Sequence, residues 1–125
     1  MGNWSRRMVV TIALVVVPGC AREGLAPVKG RVIFNGKPVK EAQVTFSPVP
    51  RSAGDKEPGK AATGFTNADG AFVLSTYKAY DGALIGPHHV TISLDDTNPA
   101  RCKRLQQFER EVKPGDNQVE IELQP

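Results

Sequence analysis

The sequence predicts an all-β protein, an antiparallel β-sandwich of about seven strands. From Pro27 onward, apolar and polar residues alternate with a period of two, which is typical of half-buried strands. Turn-forming pairs such as Asn35-Gly36 and Asp81-Gly82 separate the alternating segments. No segment carries a sustained apolar stripe at helical spacing, so crossover helices between parallel strands are not expected.

The first predicted strand is Val28–Phe34, in which the odd-and-even alternation leads directly into the two-residue turn Asn35-Gly36. The second strand ends at Pro48, because proline cannot donate a hydrogen bond to a ladder. Its predicted inward residues are Ala42, Val44 and Phe46. The segment Arg51–Lys60 that follows is polar and has no apolar period, which indicates an exposed loop.

The stretch Thr66–Phe72, with the sequence TNADGAF, predicts the turn around which the chain is organised. The short side chains of Asn67 and Asp69 are suited to hydrogen-bond backbone amides, and Gly70 adopts a positive φ without steric cost. We therefore expect the strands on either side, residues 61–66 and 71–77, to be adjacent. Phe72 is predicted to anchor the core.

The C-terminal half is predicted to add strands over residues 88–94 and 119–123. The expected inward residues of the first of these are Val90, Ile92 and Leu94. Between the two strands, Asp95–Gln107 is the least regular segment, and we allow for a short helical turn there. Beyond it, Phe108 and Val112 are expected to share one face.

Residues 1–19 have the form of an export signal. Arg6 and Arg7 precede the apolar run Met8–Val17, which is too short to span a bilayer as a mature anchor. Two further interpretations stay open. One is a plain secretory signal followed by an incidental cysteine, and the other is export by the twin-arginine route, whose signal Ser5-Arg6-Arg7 resembles.

The residues around Cys20 resemble the lipobox of bacterial lipoproteins, with apolar Val17 and small Gly19 before the cysteine. In that family the signal is cut just before the cysteine and its thiol is acylated. The resemblance implies that Cys20 is the lipidated first residue of the mature chain. We therefore expect a lipoprotein signal peptide over 1–19, a tether over 20–26 and a single domain over 27–125.

An ordered set of motifs resembles the carboxypeptidase-regulatory-like, or transthyretin-like, domain. The motifs are Val28–Val32, Asn35–Val39, Ala42–Phe46, Gly64–Phe72, Asp81–Ala83, Gly86–Ile92, Val112–Asn117 and Val119–Ile121. They cover nearly all of the expected domain and also fit small exported lipoproteins of planctomycete-type bacteria. The resemblance implies a transthyretin-like or immunoglobulin-like sandwich in the cell envelope, with an accessory, structural or interaction role.

No constellation of catalytic or metal-binding residues is evident in the sequence. His88 and His89 are neighbours on a strand and face opposite sides, which makes them a poor chelating or acid-base pair. Asn67–Gly70 lacks the carboxylates of a calcium loop around it. Cys102 has cationic neighbours that would lower a thiol pKa, but no base to activate it, so we interpret it as an incidental exposed thiol. We predict no catalytic residue, no cofactor and no metal ion.

The charge pattern argues against nucleic-acid binding. The formal net charge is +3, of which Arg6 and Arg7 contribute 2, so +1 remains after removal of the signal. The remaining basic and acidic residues are interleaved along the chain. We predict a non-enzymatic, membrane-anchored envelope lipoprotein on the periplasmic or outer-membrane side, with a structural or protein-interaction role. The alternative is a carbohydrate-binding module that uses Tyr77 and Tyr80 as exposed rings.

Overall fold

The structure, a computed structural model, describes residues 24–50, 52, 54, 55 and 58–125. The predicted signal peptide and the predicted lipidation site, Cys20, lie outside the described residues. Positions 51, 53, 56 and 57 of the predicted polar loop also lie outside them. In the part of that loop that is described, no strand is present.

The described residues form ten β-strands. They are β1 (Leu25–Ala26), β2 (Val28–Phe34), β3 (Lys37–Pro38), β4 (Gln43–Pro48), β5 (Ala62–Phe65), β6 (Ala71–Val73), β7 (Ala83–Leu84), β8 (Gly86–Ser93), β9 (Leu105–Val112) and β10 (Asn117–Glu122). Seven of these strands have three or more residues, in agreement with the predicted number. Over the described ranges, no helix has the length and apolar character needed to cross a membrane.

The strands form two main sheets. Sheet I has the order β10-β2-β3, with β6 also pairing β2, and sheet II has the order β5-β4-β8-β9. Strands β1 and β7 form a small separate ladder. The ladders of the described strands are antiparallel except that β10 runs parallel to β2. The predicted all-β sandwich is confirmed, and this parallel pair is its one departure from antiparallel order.

An apolar core fills the sandwich. The predicted inward residues of the second strand and of residues 88–94 are all buried, and they are Ala42, Val44, Phe46, Val90, Ile92 and Leu94. The predicted anchor Phe72 is only 2% exposed. The alternation of apolar and polar residues in these segments therefore predicted correctly which face meets the core.

We name the two ends of the sandwich from strand β2. The near end is where β2 begins, and the far end is where β2 ends. At the near end, β2 begins at Val28, beside the start of β10 at Asn117. At the far end, β2 closes at Phe34, and the predicted turn follows with φ of 53° at Asn35 and 76° at Gly36. Since a strand rises about 3.3 Å per residue, the ends lie roughly 20 Å apart along β2.

The stretch Thr66–Phe72 turns the chain as predicted, but it links the two sheets. Asn67 Oδ1 accepts hydrogen bonds from the backbone amides of Asp69 (2.9 Å) and Ala71 (3.0 Å). The strand before the turn, β5, pairs with β4 in sheet II, and β6 after it pairs with β2 in sheet I. An isolated bridge between Thr63 and Ser75 joins the two strands. The two segments are therefore adjacent at this bridge and at the Asn67–Ala71 turn, as expected, but their ladders lie in different sheets.

Strand β9 occupies a segment that the sequence pattern left irregular. It begins at Leu105, where we had allowed for a helical turn within Asp95–Gln107. Its better-buried positions include the polar residues Gln106 and Arg110 as well as Phe108, so the apolar alternation is interrupted. Because polar residues occupy inward positions, the sequence pattern did not predict this strand.

The folded domain also includes two residues that the sequence assigned to the tether. Leu25 and Ala26 form β1 and pair with Leu84 and Ala83. Ala26 is 2% exposed and belongs to the core. A strand of two residues is too short to produce a readable alternation, which explains the difference from the predicted boundary.

Candidate functional site

One flank of the sandwich is closed by side chains. Here β9 of sheet II lies beside β10 of sheet I. Arg110 Nη2 donates to the backbone oxygen of Glu120 at 3.2 Å. The side chain of Gln106 donates to the backbone oxygen of Gln124 and accepts from its amide, both at 2.8 Å. These bonds and the charged residues around them cover backbone groups that would otherwise be free to pair with a further strand.

The opposite flank exposes apolar surface. We call it the aromatic flank and define it by Phe65, Val73, Tyr77 and Tyr80. The exposed fractions of the three rings are 65% for Phe65, 61% for Tyr77 and 72% for Tyr80. A groove of about 420 Å³ runs between β5 and β6 and is lined by Phe65, Val73 and Tyr80 among others. Gly64 also lines the groove, and a Cβ there would lie 2.5 Å from the backbone oxygen of Val73, so β5 and β6 approach closely at this point.

The carboxylate of Asp81 shapes the loop that carries the two tyrosines. Its oxygens accept hydrogen bonds from the backbone amides of Thr76 (2.7 Å), Tyr77 (3.0 Å) and Lys78 (2.9 Å). Desolvation raises the pKa of Asp81, but these hydrogen bonds together outweigh it and hold the pKa below the ordinary value of 3.8. The charged carboxylate is thus part of the loop's fold.

Tyr80 is held in a strained backbone conformation at the tip of this loop. Its φ is 60°, in the left-handed region that bulky residues avoid. The amide of Tyr80 donates to Ser75 Oγ at 2.7 Å. Strain of this kind persists only where the surroundings fix the conformation. Here the Ser75 hydroxyl and the Asp81 carboxylate hold the backbone conformation. The Tyr80 ring is left exposed to solvent.

Tyr77 is also positioned by its neighbours. The Lys60 ammonium lies 5.2 Å from the centroid of the Tyr77 ring, within cation–π distance. The bridge between Thr63 and Ser75 brings the two residues together, since Lys60 precedes β5 and Tyr77 follows Ser75. The aromatic flank therefore joins a basic group to its exposed rings.

Part of this site is predictable from the sequence. Tyr77 and Tyr80 are exposed, as the carbohydrate-binding alternative required. Phe65 was missed, although a signal was present: with Ala62 and Gly64 facing inward on β5, Phe65 occupies an outward position. Exposed aromatic residues that cluster into one apolar patch mark an interaction site, and Phe65 is a member of such a patch.

The two histidines lie on opposite faces of β8, as predicted. His88 is 1% exposed and His89 is exposed. The His88 Nε2 atom lies 2.7 Å from the backbone oxygen of Leu84, and its Nδ1 atom is buried without a hydrogen-bond partner. Desolvation lowers the pKa of His88 below 6.5, and hydrogen bonding to backbone groups offsets this only in part. The pair is therefore not brought together for catalysis.

Cys102 differs from the exposed thiol that we predicted. It is half-buried and packs against the core. Burial raises the pKa of its thiol, and the charge of Arg104 offsets this only in part. The expected lowering by cationic neighbours is therefore outweighed by desolvation. Within the described residues, no group of three or more His, Cys, Asp or Glu side chains is arranged to hold a metal ion.

The sequence matches no protein-family model and no curated protein. Among solved structures, the chain is similar to a DUF3823 family protein from Parabacteroides merdae ATCC 43184, with 17% identity and a TM-score of 0.52 over 82% of this chain. The chain spans about half of that structure, 47%. It is also similar to the dioxygenase domain of a dioxygenase carbohydrate-binding protein fusion from Streptomyces sp. SirexAA-E, with 18% identity and a TM-score of 0.48 over 81% of this chain and 80% of that one. At such identities the first likeness supports the β-sandwich fold alone.

Proposed function

We propose that this chain is a non-enzymatic envelope lipoprotein, anchored through an acylated Cys20, whose sandwich binds another envelope protein through the aromatic flank. The proposal includes the resemblance of its motifs to the carboxypeptidase-regulatory-like domain, because that resemblance implies an accessory role. The observation that carries it is the contrast between the two flanks, one closed by side-chain hydrogen bonds and the other lined with exposed rings.

Exposed rings favour a binding role for energetic reasons. Phe and Tyr side chains bury large areas on association and lose few rotamers, so a small number of them dominates many interfaces. Phe65 and Tyr80 line one groove, and Tyr80 is fixed before any partner arrives. A preformed site avoids much of the ordering cost of association.

The binding claim is tested by site-directed crosslinking in intact cells. A photoreactive phenylalanine analogue replaces Tyr80 in one variant and Gln107, an exposed residue of β9, in the control. We expect an adduct with one abundant protein from position 80 and none from position 107. Equal adducts from both positions would contradict a specific surface at the aromatic flank.

The anchoring claim is tested by Cys20→Ser, with Cys102→Ser as the matched control. We expect the Cys20→Ser protein to leave the membrane fraction, because it loses the acyl chains that hold it there. The Cys102→Ser protein should stay in that fraction. Retention of both variants would refute anchoring through Cys20.

Tyr77 and Tyr80 also support the second candidate, a carbohydrate-binding module, since sugar rings stack on exposed aromatic faces. The test is a glycan array probed with the purified chain. Binding that is lost in both Tyr77→Ala and Tyr80→Ala would favour this candidate over the protein partner. An array without signal would remove it.

A further inference from the structure

A second groove lies at the far end of the sandwich, apart from the aromatic flank. Its volume is about 440 Å³, which is in the range of ligand sites. One wall is formed by Lys37–Lys40 and the other by Asn98–Arg101. Phe34, at the end of β2, also lines the groove. We call this surface the far-end groove.

The walls of the far-end groove are braced by one buried side chain. Asn98 is 4% exposed. Its Nδ2 group donates to the backbone oxygen of Lys40 at 2.7 Å, and its Oδ1 atom accepts from the amide of Ala100 at 3.0 Å. Because the bond to Lys40 joins segments that are 58 residues apart in sequence, the groove exists before any ligand binds.

The lining has an unusual combination of charge and apolar surface. Lys37, Lys40 and Arg101 are its charged members, and all three are exposed. Among the residues that the structure describes, no carboxylate lines the groove, and the rest of the lining consists mainly of apolar side chains such as Phe34, Val39 and Pro99. Several cations along low-dielectric walls reinforce one another's electrostatic field, so an anion is attracted to the far-end groove.

We propose that the far-end groove binds an acidic segment of a partner protein in which carboxylates alternate with apolar side chains. The cations pair with the carboxylates, and the apolar walls accept the intervening side chains. An anionic polysaccharide would complement the cations but would leave the apolar walls unmatched. If the chain is anchored through Cys20, as proposed above, a lipid headgroup is disfavoured because the groove lies at the end of β2 opposite the N-terminal entry of the chain. This site goes beyond the aromatic flank and does not depend on it.

The test measures binding of a fluorescein-labelled peptide of alternating Glu and Leu to the purified full chain by fluorescence anisotropy. We expect Lys37→Gln, Lys40→Gln and Arg101→Gln, combined in one protein, to weaken the affinity by about tenfold or more. The matched control combines Lys29→Gln, Arg31→Gln and Lys113→Gln, which removes the same charge from exposed positions outside the groove. Its affinity should stay at the wild-type value.

A further variant introduces repulsion without removing any contact. Ala68 is exposed and lines the groove, so Ala68→Glu places a carboxylate there and should also weaken binding. Tyr80→Ala, on the aromatic flank, should bind the peptide normally. Equal losses in the two charge-neutralised proteins would overturn the proposal, as would equal affinity for a Gln-Leu peptide. Tighter binding of dextran sulfate, single-stranded DNA or phosphatidylglycerol vesicles than of the Glu-Leu peptide would also overturn it.

Discussion

Phe72 depends on a glycine in the neighbouring strand. Gly30 of β2 pairs with Phe72 of β6, and a Cβ added at Gly30 would lie 2.7 Å from Phe72 Cζ. It would also collide with the backbone oxygen of Val119 in β10. The missing side chain therefore allows the phenylalanine ring and the β10 backbone to approach the same point of β2.

We expect Phe72→Ala to lower the free energy of unfolding by about 3–5 kcal/mol, because it removes a buried ring and leaves a cavity. Chemical denaturation measures this change. Phe65→Ala is the matched control, since the same atoms are removed from a ring that is 65% exposed. A loss of about 0.5 kcal/mol is expected there. Similar losses in both variants would mean that Phe72 does not anchor the core.

His88 predicts a pH dependence of stability. Burial lowers the pKa of His88 in the folded chain below its ordinary value of 6.5. The unfolded chain therefore binds the proton more readily, and the contribution of neutral His88 is full above pH 6.5 and declines as the pH falls toward the folded pKa. We expect the free energy of unfolding to decrease from about pH 7.5 to 5.

Two variants separate this effect from other titrations. His88→Gln retains a donor for the Leu84 oxygen but has no titratable ring, so its stability should vary little over that pH range. His89→Gln changes the exposed neighbour and should keep the wild-type dependence. A pH dependence that survives in His88→Gln would show that another group is responsible.

At the scale of elements, the sequence predicted strands well where one face meets the core and the other meets solvent. The prediction for Val28–Phe34 matches β2, and the inward residues of β4 and β8 are confirmed. β9 was hidden because its inward positions include Gln106 and Arg110. The turn at Thr66–Phe72 was visible locally, but its crossing between sheets was not, since strand partners are chosen by contacts distant in sequence.

The candidate sites divide in the same way. Tyr77 and Tyr80 were nominated from composition alone, whereas their positioning by Asp81 required the folded loop. The far-end groove combines Lys37–Lys40 with Asn98–Arg101, and nothing in either segment indicates the other. Local sequence patterns predict which residues are exposed. The folded structure is needed to show which of the exposed residues are neighbours.

We expect Asp81→Ala to destabilise the domain by about 1 kcal/mol, since three backbone amides lose a charged acceptor and water can replace it at the two exposed ones. The lowered pKa of Asp81 means that its contribution is present above pH 3.8 and is lost as the pH falls below that value. Denaturation at neutral pH and at about pH 3 measures both effects. Asp96→Ala, at an exposed position of another loop, is the control and should be nearly neutral.

At the scale of the whole molecule, the parallel pairing of β10 with β2 sets which features share an end. Both strands begin at the near end, where the chain enters and where Asn117 Nδ2 donates to the Pro27 backbone oxygen at 3.2 Å. The turn at Ala68 and the far-end groove lie at the other end. The proposed tether between Cys20 and Leu25 reaches at most about 17 Å when extended, which is less than the length of the sandwich along β2.

If Cys20 is the anchor, the near end is held beside the membrane and the far-end groove faces away from it. We test this with a fluorophore on Asp116→Cys, at the near end, or on Ala68→Cys, at the far end, each in a Cys102→Ser background. The lipidated chain is placed in vesicles that contain a lipid-bound quencher. Quenching falls steeply with distance, so the label at position 116 should be quenched more strongly than the label at position 68. Equal or reversed quenching would place the groove against the bilayer, and the same labels on the Cys20→Ser protein should be quenched at neither position.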